Sequence, residues 1–182
     1  MISRSEIVGT RVVLRPNAVE FSRQLQVAAM ESLDTIGRWM PWCHPDRTEA
    51  EGIDWYRICE ENWRDGVAYE FTAFTPSGEF IGAGGLNQFN RVHHFANLGY
   101  WVRESRQGQG FASEIAELIA GFGFQALRLA RIEIVVGEEN LSSRRVAEKL
   151  GAAFEGIARR RILMRGASID AAMYSMVPDG VR

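Results

Sequence analysis

Arg103-Glu104-Ser105-Arg106-Gln107-Gly108-Gln109-Gly110-Phe111-Ala112-Ser113 is the stretch on which the reading of this sequence turns. Before it runs the apolar segment Phe95 to Val102, a strand by composition. After it, Ala112 to about Leu127 sets Ile115, Leu118, Ile119 and Phe122 on one helical stripe. Gly108 and Gly110 let the backbone bend and a bulky group come close. The first amides of the helix have no internal partner and its dipole is positive there. A phosphate or pyrophosphate is therefore the fitting guest, with the Ser113 hydroxyl as an added donor. The plainer reading is a turn that only joins strand to helix. A third is a dinucleotide fold, since Gly108-Gln109-Gly110 followed by Ser113 is one residue away from GxGxxG and the acid Glu133 lies about 20 residues on. Against that rival, Ser113 stands where helix–strand packing wants glycine. The charged spacer 103–106 also separates strand from loop, and the upstream strands read as a meander.

Working outward, Val67 to Phe74 and Phe80 to Phe89 are two strands joined across Pro76-Ser77-Gly78, and with Phe95 to Val102 they predict an antiparallel meander. Towards the N-terminus, Arg11 to Arg15 alternates as a strand that Pro16 ends. Asn17 is suited to cap a helix through about Ser32. Thr48 with Glu51 has capping-box spacing for a second helix, stopped by Asp65-Gly66. Towards the C-terminus, Ile132 to Val136 is a short buried strand, and Ser142 to Leu150 a helix closed by Gly151. Phe154 to Leu163 and Ile169 to Val177 are strands turning at Arg165-Gly166. These elements predict one α+β domain over residues 1–182, with a mixed, mostly antiparallel sheet.

Hydrophobic residues make up 46% and charged residues 24% of the 182, a globular balance that needs neither metal nor disulfide to form a core. A net charge of −2 supplies no field for nucleic acid or an anionic membrane. Cys43 and Cys59 have no CxxC spacing, and Cys43-His44 with Cys59 offers too few ligands for zinc. Met1 to Arg11 is charged where a signal peptide would be apolar, and no apolar run reaches membrane-spanning length. The expectation is a cytoplasmic protein without metal, and the sequence admits a homodimer.

Gln107-Gly108-Gln109-Gly110-Phe111-Ala112 matches the Q/R-x-x-G-x-G/A loop by which enzymes of the GNAT superfamily hold the coenzyme A pyrophosphate. Leu98-Gly99-Tyr100-Trp101-Val102 resembles the family's LGYW strand. Asn140-Leu141-Ser142-Ser143 with Glu148-Lys149-Leu150-Gly151 and Glu155-Gly156 resembles its N-x-x-S…EKLG…EG stretch. Asp170 with Tyr174-Ser175, and Arg38-Trp39-Met40-Pro41-Trp42, resemble two further elements. The resemblance runs from about Thr10 to Val177 and is strongest to the Rim-type ribosomal-protein alanine/serine N-acetyltransferases.

The resemblance implies a GNAT fold of six to seven strands, helices on both faces, and a central strand pair that splays to admit the pantetheine arm. It implies acetyl-coenzyme A as cosubstrate, with an acetyl group passing directly to a primary amine. The amine is a protein N-terminus or, in the alternative, a small amine such as an antibiotic, polyamine or amino acid. A non-catalytic acyl-coenzyme A binder is the third reading. Carried over residue by residue, the backbone of Trp101, Val102 and Arg103 bonds the acetyl and pantetheine amides. The amides from Gln107 through Gly108, Gln109, Gly110 and Phe111 to Ala112 hold the pyrophosphate. Asn140 bonds the pantetheine arm, and Arg144 or Arg145, preferably Arg145, pairs the 3′-phosphate. Many relatives protonate the thiolate with a tyrosine seven residues after the asparagine. That position is Ala147 here, and Ser143 is the candidate acid, with helix capping as its other role. Carboxylate bases of relatives fall at Asn97 and near Ile162, so the base is unassigned, with Glu70, His93 and His94 as substitutes. Trp39, Trp42 and Asn87 are the candidates facing the acceptor, whose cleft is expected from Ile36 to Glu51 and Asn87 to Phe95.

Overall fold

A computed structural model describes residues 2–178 of the chain. Its strands are β1 (Ile7–Val8), β2 (Val13–Pro16), β3 (Tyr69–Phe74), β4 (Phe80–Asn90), β5 (Phe95–Val102), β6 (Arg131–Gly137), β7 (Ala153–Met164) and β8 (Ala167–Met176). Its helices are α1 (Ser22–Glu31), α2 (Glu49–Asp65), α3 (Phe111–Gln125) and α4 (Leu141–Lys149). The strands form one sheet in the order β1-β2-β3-β4-β5-β6-β8-β7.

Local chemistry fixes the element ends. Thr48 and Glu51 make the reciprocal capping box at the start of α2, and Gly66 ends that helix in the left-handed conformation at φ 66°. Side chains alternate across the sheet, so each face has its own core. Tyr69, Phe71, Leu86, Leu98, Ile132 and Ile134 pack with Ile115, Ile119 and Phe122 of α3 on one face. Phe74, Phe80 and Trp101 pack with Phe21, Leu25 and Tyr56 on the face of α1 and α2.

The topology positions the site. Strand β5 runs antiparallel to β4 over its whole length but parallel to β6 for only three rungs, Phe95↔Arg131, Ala96↔Ile132 and Asn97↔Glu133. Beyond them the strands part, and the sheet is split between Leu98–Val102 and Ile134–Gly137.

Three expectations change. The sheet has eight strands rather than six or seven, because the two-residue β1 pairs with β2 through Ile7↔Leu14 and Val8↔Val13. Pro16 is the last residue of β2, opposite Phe71, rather than its terminator. Asn17 caps no helix. Its side chain is buried, donating to Cys59 Sγ at 3.3 Å and accepting from Thr72 Oγ1 at 2.7 Å, and α1 is entered through a 3-10 turn at Val19–Phe21.

Candidate active site

The split opens into a cavity of about 740 Å³ that reaches both faces of the sheet. On the α3 face it is lined by Tyr100, Val102, Ser143 and the loop before α3. On the other face it is lined by Gly99, Trp101, Trp39 and Met40, together with Ile162, Met164 and Ile169 of the β7–β8 hairpin. Four cations, Arg38, Arg106, Arg145 and Lys149, but only one carboxylate, Asp34, line this cleft among the described residues. That balance suits a guest carrying several negative charges.

The anion end is the α3 N-terminus. Gly108 and Gly110 take positive φ, 72° and 86°, which turns the loop so that the α3 amides face the cleft. The loop is braced from outside. Gln107 Nε2 donates to Val102 O at 3.0 Å and to Thr35 Oγ1 at 3.2 Å. Arg106 pairs with Glu79 at 2.6 Å, and Arg103 pairs with Glu31 of α1. The Arg103 N–H donors, with help from Ser105, hold the Glu31 carboxyl down at about 2. These donor-rich walls and the open split fit a long phosphorylated ligand such as coenzyme A, with Gly108 to Ser113 for the pyrophosphate and Arg145 for a terminal phosphate.

Several sequence assignments shift in register. Arg103 N–H donates to Ile81 O at 3.0 Å, and its carbonyl accepts from Arg106 N. Both of its backbone groups are therefore taken. By the alternation of an antiparallel ladder, Trp101 faces β4 as Arg103 does, and Tyr100 and Val102 turn their backbone groups to the split. The side chain of Gln109 turns outward, its Nε2 donating to Ser105 O and its backbone carbonyl accepting from Arg11, which leaves its backbone N–H uncommitted by these bonds. Arg144 is committed to Tyr174 OH and Glu138 O, whereas Arg145 lines the cleft.

The cap of α4 is Asn140, whose Oδ1 accepts from Ser143 N at 3.1 Å. Ser143 is thus not the capping residue. Its Oγ donates to Tyr100 OH at 3.1 Å, and Tyr100 OH donates to Ser143 O at 3.0 Å. Two hydroxyls meet in the cleft, and burial pushes Tyr100 up to about 12, so both stay protonated at neutral pH. Tyr100 was missed by the sequence reading because it comes from β5, across the split, rather than from α4.

On the other face, Trp39 lines the cleft against Gly137. Trp42 stands behind it, packed edge-on to Trp101 with ring centroids 5.1 Å apart. His93 and His94 are exposed on the β4–β5 connection and line neither this cleft nor its neighbour. Glu70 and Asn87 do not line the cleft either; they meet beside Asn97, at the last rung before the strands part, Asn87 Nδ2 donating to Glu70 Oε1 at 3.1 Å.

The sequence of residues 11–153 matches the acetyltransferase (GNAT) domain. The chain belongs to the GNAT acetyltransferase family. It is 35% identical over 99 residues to the uncharacterized N-acetyltransferase YoaA of Bacillus subtilis (strain 168), a match covering 54% of this chain and 56% of YoaA. It is 30% identical over 114 residues to the ribosomal-protein-serine acetyltransferase of Escherichia coli (strain K12), covering 63% of each. The fold matches RimL, a ribosomal L7/L12 α-N-protein acetyltransferase in complex with coenzyme A, with TM-score 0.88 at 21% identity over 97% of this chain and all of RimL. The GNAT fold and an acetyltransferase (GNAT) domain are thereby shown, and the chain spans little more than half the length of YoaA. No group of three or more metal-ligating side chains occurs among the described residues, and no described helix is long and apolar enough to cross a membrane.

Proposed function

We propose that the protein moves the acetyl group of acetyl-coenzyme A to a primary amine, most simply the α-amino group at the N-terminus of a protein. The observation that carries this reading is the single cavity joining the phosphate-binding end to the opposite face of the sheet. A thioester entering from the α3 side and an amine entering between Trp39, Met40 and the β7–β8 hairpin would meet in the split. The bound cosubstrate supplies the activated acyl group, and the protein supplies alignment.

The backbone groups of Tyr100 and the N–H of Val102, whose carbonyl is held by Gln107, face the gap and are the available partners for the pantetheine amides. The Ser143 and Tyr100 hydroxyls stand where charge builds on the leaving sulfur, and either turns a proton towards it. On the amine side the walls are largely apolar, Ile36, Trp39, Met40, Ile162, Met164 and Ile169. An extended peptide suits them, whereas a polyamine needs acidic partners along its length. With Cys43 and Cys59 free and buried, the natural setting is a reducing one such as the cytoplasm.

The test is thiol release from acetyl-coenzyme A with a panel of N-terminal peptides, polyamines, amino acids and aminoglycosides. Peptides beginning with a small residue are expected to give the highest kcat/KM. Faster turnover of a polyamine or other small amine than of every peptide would replace the acceptor assignment.

A further inference from the structure

Resting on the reading of the split as the place of acetyl transfer, we infer that Glu70 is the catalytic base, with the acceptor nitrogen seated over Gly99. The residues concerned lie straight across the sheet. Glu70 of β3 is opposite Gly85 of β4, and Gly85 is opposite Gly99 of β5. A Cβ on Gly85 would collide with the Glu70 carboxylate, so Oε2 lies flat over that glycine. A Cβ on Gly99 would meet nothing within 4 Å, and Gly99 lines the cleft. Two bare positions in register therefore leave a trough between the carboxylate, which does not itself line the cleft, and Gly99, which does. Its width is one strand spacing, about 4.8 Å. A nitrogen held over Gly99 is one strand spacing from the carboxylate, within reach of Oε2 through one bridging water, and a methyl group at either glycine would close the path.

The carboxylate is also the right one chemically. Oε1 takes the N–H of Asn87, whose Oδ1 takes an N–H of Asn97, and this chain fixes the carboxyl in place. Oε2 has no hydrogen-bond donor and Glu70 no salt-bridge cation among the described residues, although the side chain keeps some accessible surface. Burial pushes the Glu70 carboxyl up, and the Asn87 N–H offsets this only in part. A half-buried carboxylate with no cation beside it gains from an incoming ammonium, and a raised pKa is what a base for an amine near neutral pH requires.

The surrounding groups do not compete for the proton. From α2, burial pushes Cys59 up to about 12 and pushes Tyr56 up as well, so both stay neutral. From β2, Arg15 pairs with Glu6 at 2.7 Å. From β6, Glu133 pairs with Arg131 at 3.1 Å. The groups from β4 and β5 are the amides of Asn87 and Asn97.

In the step, the ammonium gives one proton through the bridging water to Oε2. The freed lone pair forms the N–C bond at the thioester carbonyl as the π pair moves to oxygen. When that pair returns, the C–S bond breaks and its electrons leave on sulfur. Sulfur takes a proton from the Ser143 hydroxyl, which recovers the surplus proton of nitrogen, and Glu70 releases its own to solvent. The sum is one amide, one thiol and one proton.

The test compares wild type, Glu70→Gln and Gly99→Ala on the amine that wild type acetylates fastest, so it is separate from the question of which amine that is. Glu70→Gln keeps the Asn87 bond and is expected to lower kcat about 10²- to 10⁴-fold. It should also abolish the limb over which kcat/KM falls as pH drops and Glu70 takes up a proton, while acetyl-coenzyme A affinity by calorimetry stays within twofold. Gly99→Ala fills empty space and should fold normally, bind acetyl-coenzyme A as before, and raise the KM for the amine at least tenfold. Glu70→Gln with wild-type kcat and an unchanged pH profile overturns the assignment of the base. Gly99→Ala with an unchanged KM overturns the position of the nitrogen.

Discussion

Ser143 shows what one side chain reveals from sequence and what it hides. Its place three residues after Asn140 marked it for either capping or catalysis, and serine serves both. The structure separates the two, because Asn140 holds the cap and the Ser143 hydroxyl turns to Tyr100. Removing that hydroxyl therefore touches the leaving group without unseating the helix. Ser143→Ala is expected to lower kcat about 10- to 100-fold, the worth of a charge-assisted hydrogen bond of roughly 1.5–3 kcal/mol. The acetyl-coenzyme A dissociation constant and the melting temperature should hardly move. Tyr100→Phe should produce a loss in the same direction, and Ser143→Ala/Tyr100→Phe less than the product of the two, since they share one interaction. Additive losses would mean the hydroxyls act separately. Partners such as Tyr100 and Ser143, 43 residues apart, cannot be paired by spacing. Asn17 misled for a related reason. Its residue type fits a helix cap, and only tertiary packing shows it bonded to Cys59 and Thr72 instead.

At the scale of elements the sequence was most legible where geometry is local. The capping box at Thr48, the left-handed Gly66 and the hairpin turn at 76–78 depend on neighbours within one turn of chain, and each stands as read. β1 was not legible, since two residues carry no alternation and Ile7–Val8 is a strand only because β2 offers an open edge. The loop before α3 lies between these cases. Its glycines announce a bend, but its rigidity comes from Glu31, Glu79 and Thr35, far away in sequence. That rigidity preorganises the amides proposed to hold the pyrophosphate. Gly110 itself has φ 86°, and a Cβ there would lie 3.1 Å from Arg11 Nη2, so a side chain strains the turn that sets the α3 amides and presses on Arg11. Gly110→Glu adds a negative charge as well. It should weaken acetyl-coenzyme A binding at least tenfold, about 1.4 kcal/mol, as read by calorimetry on a variant with unchanged circular dichroism. Unchanged affinity would remove the loop from the binding site.

The split sheet belongs to the whole molecule, and no periodicity in the chain encodes it. Phe95–Val102 and Arg131–Gly137 both read as ordinary strands, and only the family resemblance said that they part. What keeps the two halves in place is sparse. Three parallel rungs join β5 to β6, Ser143 and Tyr100 meet across the gap, and Arg165 Nη2 reaches Gly37 O at 2.6 Å from the β7–β8 hairpin to the α1–α2 connection. A ligand lying in the split, with its phosphates on α3 and its arm against both β5 and α4, adds a bridge that the unfolded chain cannot make. Mass action then raises stability by RT ln(1 + [L]/Kd), about 2.7 kcal/mol at a hundredfold excess over Kd. For a chain of this size that is a rise in melting temperature of roughly 5–10 °C. Coenzyme A and acetyl-coenzyme A are expected to give it in a thermal scan. NAD should not, because its second nucleoside is bulkier than the pantetheine arm proposed to lie between β5 and β6. The same scan on Gly110→Glu should lose most of the rise. A shift with NAD alone would return the loop to the dinucleotide reading, and a shift with coenzyme A that Gly110→Glu leaves whole would place the coenzyme somewhere other than the split.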